Sequence, residues 1–182
     1  PLEFRPPIVG VETDARGTAS LVVEKATGRF EFALEVLGIA PDELHAVDGA
    51  NKTAVQIRWG LPNTTGPILL DVGLFARTGG RLEAIDGAAP GFRLAASGFV
   101  TRVQGLHDTQ FQFEQIVRSL RSGAAYVHVA TTTSELFQSG ELRANLVPRL
   151  ETPTRRSFKV RLDGAQVVRP ESEQPPTHGT ES

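Results

Sequence analysis

The sequence predicts an all-β fold: an immunoglobulin-like antiparallel β-sandwich with one short helix. The prediction rests on its dominant period, its turn content and its size. Apolar residues alternate with polar ones along short runs, which is the period of a strand with one buried face. Glycine and proline, 18 and 12 of 182 residues, supply turns between the runs. With 40 % apolar and 22 % charged residues, the chain can bury the core of one domain. Many short strands with a single helix make a sandwich rather than an alternating α/β sheet.

Taken in order, Gly17 to Lys25 reads as a strand and Ala26-Thr27-Gly28 as a turn. Arg29 to Leu37 alternates cleanly, with Phe30, Phe32, Leu34 and Val36 on one face and Arg29, Glu31 and Glu35 on the other. The two runs make a hairpin with one buried face. Thr53 to Trp59 is a third strand, with Val55, Ile57 and Trp59 on one side and Ala54, Gln56 and Arg58 on the other. Gly60 to Gly66 is a loop, Pro67 to Val72 a buried fourth strand, and Thr78 to Gly91 a glycine-rich loop insertion. Phe92 to Val103 supplies a further strand. The helix spans Thr109 to Arg121, where Phe113, Ile116, Val117 and Leu120 recur at helical spacing and Gly123 closes the last turn. Ala125 to Ala130, Gly140 to Val147 and Ser157 to Asp163 are strands, the last with Phe158, Val160 and Leu162 inward. These elements make one domain over residues 1–168. Residues 169–182 hold prolines and glutamates with no apolar residue, and form a polar tail or docking arm.

Composition removes several functions. A net charge of −2 leaves no basic excess for a phosphate backbone, so no nucleic-acid partner is expected. No apolar run is long enough to span a bilayer. Zero cysteines exclude a disulfide framework, a thiolate nucleophile and a cysteine zinc site. The histidines His45, His107, His128 and His178 include no pair at metal-ligand spacing, and no serine sits in a nucleophile elbow. Catalytic, metal and cofactor residues are therefore all expected to be absent. Starting at Pro1 without methionine, the chain reads as a processed, extracytoplasmic product whose signal or anchor is not part of it. Asn51-Lys-Thr53 and Asn63-Thr-Thr65 are glycosylation sequons.

A partial internal repeat links the two ends. Arg5-Pro6, Thr13 and Gly17-Thr18-Ala19-Ser20 match Arg169-Pro170, Thr177 and Gly179-Thr180-Glu181-Ser182, with a gap that differs by two. The strand at 157–163 precedes the second copy. It therefore completes the sandwich in permuted order, opens a second repeat, or enters a neighbouring molecule, and residues 157–182 are a candidate segment for strand exchange or homo-oligomer formation.

The chain resembles the CHRD (chordin-type) domain family on several pieces in order. Gly17-Thr-Ala-Ser-Leu-Val-Val and Phe30-Glu-Phe-Ala-Leu-Glu-Val-Leu-Gly38 are similar to consecutive strands of that family. Gly66-Pro-Ile-Leu-Leu-Asp-Val, the segment from Ile116 through Ala125-Tyr-Val-His-Val-Ala-Thr131, and Gly140-Glu-Leu-Arg-Ala-Asn-Leu146 are similar to later ones. Phe158 to Pro170 resembles the family's opening strand. The resemblance implies a His-x-His segment where this chain has Gln56-Ile57-Arg58, and an Asn-Val-His where it has His128-Val129-Ala130. Those family histidines resemble the ligand clusters of copper/zinc superoxide dismutases; Arg58 cannot ligate a metal.

Gln56, Arg58, Trp59, Tyr126 and His128 are the candidate interaction surface, against the plainer reading that they form the solvent face of a sheet. The expected function is a non-enzymatic exported structural or protein-interaction module with a protein partner, one form of which is an accessory subunit of a cell-surface or membrane-associated complex. The alternative is a metal-binding, superoxide dismutase-like sandwich. A carbohydrate-binding sandwich is disfavoured because one Trp and one Tyr leave few stacking platforms.

Overall fold

A computed structural model describes residues 13–45, 52–61, 66–100, 113–132, 142–150 and 155–162. The strands in chain order are β1 (Arg16–Glu24), β2 (Arg29–Leu37), β3 (Val55–Trp59), β4 (Ile68–Leu70), β5 (Arg81–Ile85), β6 (Gly91–Phe99), β7 (Ala125–Val129), β8 (Leu142–Asn145), β9 (Pro148–Leu150) and β10 (Arg155–Leu162). The helices are α1 (Val72–Gly79) and α2 (Phe113–Arg121), with a 3-10 turn at Pro41–Glu43. A six-stranded sheet runs β5-β6-β2-β1-β10-β9 and a four-stranded sheet runs β4-β3-β7-β8, with every pairing antiparallel. The predicted all-β sandwich is the fold.

The β1–β2 hairpin follows from its sequence. Phe30, Phe32, Leu34 and Val36 are buried while Arg29, Glu31 and Ala33 are exposed. Its turn closes with Gly28 N–H donating to Glu24 O at 2.9 Å, and Gly28 takes φ 72°, a conformation that only glycine adopts without strain. β6 continues the same alternation, and its Phe92, Leu94 and Ala96 pair across from Val36, Leu34 and Phe32. These side chains meet Val55, Ile57, Val127, Val129, Leu142 and Ala144 from the small sheet in one continuous core. Each large apolar side chain so buried contributes roughly 1.5–3 kcal/mol.

Three elements depart from the sequence reading. Pro67 to Val72 is not one strand: it breaks at Asp71 and α1 begins at Val72. The described residues therefore contain two helices, not one. The signal was present, since Val72, Phe75 and Ala76 have helical spacing and all pack on the core. It was masked by two glycines in eight residues. Phe75 sets its ring edge-on to Phe30, 4.9 Å between centroids and 89° between planes. A Cβ at Gly98 would lie 2.5 Å from the Phe75 ring, so glycine there makes the room. The expected loop 78–91 contains β5, an edge strand with exposed Leu82, which pairs with β6. β9 is likewise a short strand that the sequence reading lacked.

α2 buries Ile116, Val117 and Leu120 as its spacing predicts; the expected first turn at Thr109 lies outside the described residues. So do His107, His178, Asn51, the sequon at Asn63, and the tail 169–182. β10 pairs with β1 in register, from Gly17↔Leu162 to Glu24↔Arg155. Its Leu162 is fully buried and Val160 packs against the core.

Truncation after Leu150 deletes β10. It is expected to cost about 3–5 kcal/mol and lower Tm by roughly 10 °C or more, as buried contacts vanish and β1 becomes an edge. Calorimetry of the shortened chain checks this; an unchanged Tm contradicts the assignment.

Candidate functional site

The predicted surface residues meet on the small sheet, on the face turned away from the large one. Strand alternation sends Val55, Ile57, Val127 and Val129 inward and Gln56, Arg58, Tyr126 and His128 outward. The register places Gln56 beside His128 and His128 beside Arg143, and in the next row Arg58 beside Tyr126 and Tyr126 beside Asn145. The result is a polar grid three strands wide. The sequence reading lacked Arg143 and Asn145, because only the β7–β8 register brings them to this face.

This face is not a solvent surface. Gln56, Tyr126, His128 and Arg143 are 1 % exposed and Arg58 is 6 % exposed. The expectation of an exposed patch is thus corrected for Gln56, Arg58, Tyr126 and His128. Trp59, at 45 %, is the exception. It shares a face of β3 with Ile57, so it stands on the opposite side of the strand from Arg58 and cannot share a contact surface with the grid.

A chain of hydrogen bonds explains how so much polarity is buried. Asp71, fully buried just before α1, accepts from the Thr53 N–H at 2.9 Å and also from the Thr53 hydroxyl. Asp71 has the sequence position of an N-cap for α1, yet its side chain makes no cap bond and serves this contact instead. Thr53 O accepts from Gln56 Nε2 at 2.8 Å, and Gln56 Oε1 accepts from Arg58 Nε at 2.9 Å. Arg58 Nη1 reaches Gly66 O at 3.4 Å, and Gly66 N–H donates to the Tyr126 hydroxyl at 3.3 Å. The Arg143 guanidinium lies 3.5 Å above the centre of the Tyr126 ring and donates through Nη2 to Leu61 O at 2.8 Å. Asn145 Nδ2 donates to Gly60 O and Gly123 O, at 3.1 and 3.2 Å. The network thus clamps both ends of the 60–66 loop onto the sheet.

Two cations are buried side by side here. Burial pulls the Arg58 guanidinium below its ordinary range, while Tyr126 and then Asp71 act in the opposite direction. Burial likewise lowers Arg143; Tyr126 opposes this and the like charge of Arg58 adds to it.

The arrangement is poor chemistry for a metal. The positions that the resemblance singles out, 56, 58 and 130, hold Gln, Arg and Ala, and a permanent cation sits among them. Among the described residues no group of three or more His, Cys, Asp or Glu could hold a metal ion. The described residues at these positions do not fit a copper or zinc site.

The profile of the CHRD domain family matches residues 4–146. The chain belongs to the CHRD domain family. No curated protein and no solved structure matches it significantly. CHRD domains occur in extracellular and periplasmic proteins and are known as non-enzymatic modules. In this CHRD domain the match ends one residue after β8, so β9 and β10 lie beyond it although they belong to the large sheet. No helix among the described residues is long and apolar enough to cross a membrane.

The clamp predicts a graded response at Arg143. Arg143→Ala loses the ring contact and the bond to Leu61 and is expected to cost about 2 kcal/mol. Arg143→Met keeps the packing and removes a buried charge, so about half that loss or less is expected. Denaturant midpoints of the two variants check this, and a greater loss for Met than for Ala contradicts it.

Proposed function

We propose that this CHRD domain is a non-enzymatic structural module of an exported, cell-surface or membrane-associated protein complex. In this reading it joins its partner through the end of the small sheet that carries Trp59. The observation that carries the proposal is the division of that sheet: its polar face is closed by the arginine clamp, while its exposed large apolar residues gather at one end. Trp59 pairs with Ala125, Gly60 N–H bonds Ala124 O and Leu146 N–H bonds Ala125 O, so Trp59, Leu61 and Val147 all lie at the same end of the small sheet. They are 45 %, 56 % and 61 % exposed. Tryptophan supplies large contact area at low entropic cost and is enriched among residues that dominate binding energy.

Trp59→Ala is expected to weaken capture of a stoichiometric protein partner from the native source by about 2 kcal/mol, roughly thirty-fold, while Tm stays within a few degrees of the parent. Equal capture by both chains removes Trp59 from the interface.

Metal analysis of the purified chain tests the non-metal reading separately. Copper and zinc are expected far below one equivalent after dialysis, and one tightly held equivalent overturns the assignment.

A further inference from the structure

We propose that β10 is an exchangeable strand, and that the edge of β1 accepts the β10 of a second copy of this chain as it accepts its own. The proposal goes beyond the Trp59 contact and does not depend on it.

The β9–β10 hairpin occupies the end of the large sheet, with β10 against β1 and β9 outermost. Among the described elements, it can leave without breaking any other pairing in that sheet. Its only covalent link to β8 is Leu146–Val147, since β8 ends at Asn145 and β9 starts at Pro148. The family match also stops at residue 146, at this hinge. A closed and an exchanged arrangement make the same β1–β10 ladder, so they differ only at a two-residue connection, the setting in which strand swapping costs little.

The sequence gives the exchange its partner. After β10 the chain runs through Arg169-Pro170, Thr177 and Gly179-Thr180-Glu181-Ser182, which repeats the lead-in Arg5-Pro6, Thr13 and Gly17-Thr18-Ala19-Ser20 that enters β1. β10 therefore stands in sequence just ahead of a second β1-like start, while in the fold it closes the β1 behind it. A strand with that double address belongs to two successive copies. The second copy is accordingly the occupant to which β1 and β10 are both matched.

The absence of native cysteine makes the test direct. Thr18 and Arg161 are both exposed and are register partners. Antiparallel partners lie about 4.5–5.5 Å apart at Cα, within disulfide reach. Full-length Thr18→Cys and Arg161→Cys chains are mixed, unfolded, refolded together and oxidised mildly. A disulfide-linked heterodimer several-fold above the yield from Arg118→Cys mixed with Arg161→Cys is expected. The double variant Thr18→Cys/Arg161→Cys closes within one chain and establishes that the ladder forms. If the double variant closes but the mixed chains stay at the Arg118 level, β10 serves only its own chain and the proposal fails. It fails equally if the double variant does not close, because the ladder itself is then absent.

Discussion

The small sheet is buried on both faces, and the rest of the molecule is arranged around that constraint. An antiparallel sheet in a sandwich commonly gives one face to the core and the other to water. Here the inner face packs on the large sheet, while the outer face carries two arginines, a tyrosine, a histidine and two amides. Burying a guanidinium is tolerable only if its donors and charge are answered. The answers come from the Gln56 carboxamide, the carbonyls of Leu61 and Gly66, and the face of Tyr126. Each of these lies at a fixed place in the sheet or the 60–66 loop, so electrostatic need and loop position are one problem with one solution.

Strands β1, β2, β6 and β10 of the large sheet were legible because a single rule generates them. Phe30, Phe32, Leu34 and Val36 alternate with polar residues, and water settles which side is which. The same rule misleads on β3 and β7. Gln56, Arg58 and His128 look solvent-facing because polarity in an alternating strand ordinarily means water. What inverts the inference is the register that lays Arg143 on Tyr126 and the loop that supplies carbonyls, neither of which is encoded locally. At α1 the local pattern is ambiguous instead. Val72, Phe75 and Ala76 carry a helical signal, but a buried apolar run beside it, Ile68 to Leu70, reads as a strand that simply continues. Asp71 is where the two meanings separate: it ends the strand, precedes the helix and spends its carboxylate on Thr53, residues distant in sequence but adjacent in the fold.

The candidate site was legible in membership and not in character. Four of the five residues named from sequence do come together, and the fifth, Trp59, emerges on the other side of its strand. Their chemistry changes once burial is known. As exposed groups they would be recognition elements. As buried groups they form an internal brace, in which Gln56 and Arg58 occupy positions where the family resemblance implies histidines. The CHRD fold here therefore holds that region with a guanidinium network, and the exposed Trp59, Leu61 and Val147 lie at the small sheet's end instead of on its polar face.

The separate placement of the only tryptophan and the only tyrosine has an optical consequence. Trp59 is nearly half exposed while the chain is folded, so its emission already carries part of the solvent shift of an unfolded chain. Tyr126 lies beneath a guanidinium with its hydroxyl bonded to Gly66, and its near-ultraviolet absorption and dichroism depend on that brace remaining intact. The two chromophores thus divide the molecule between them: one looks outward at whatever binds the sheet's end, and the other registers the state of the interior.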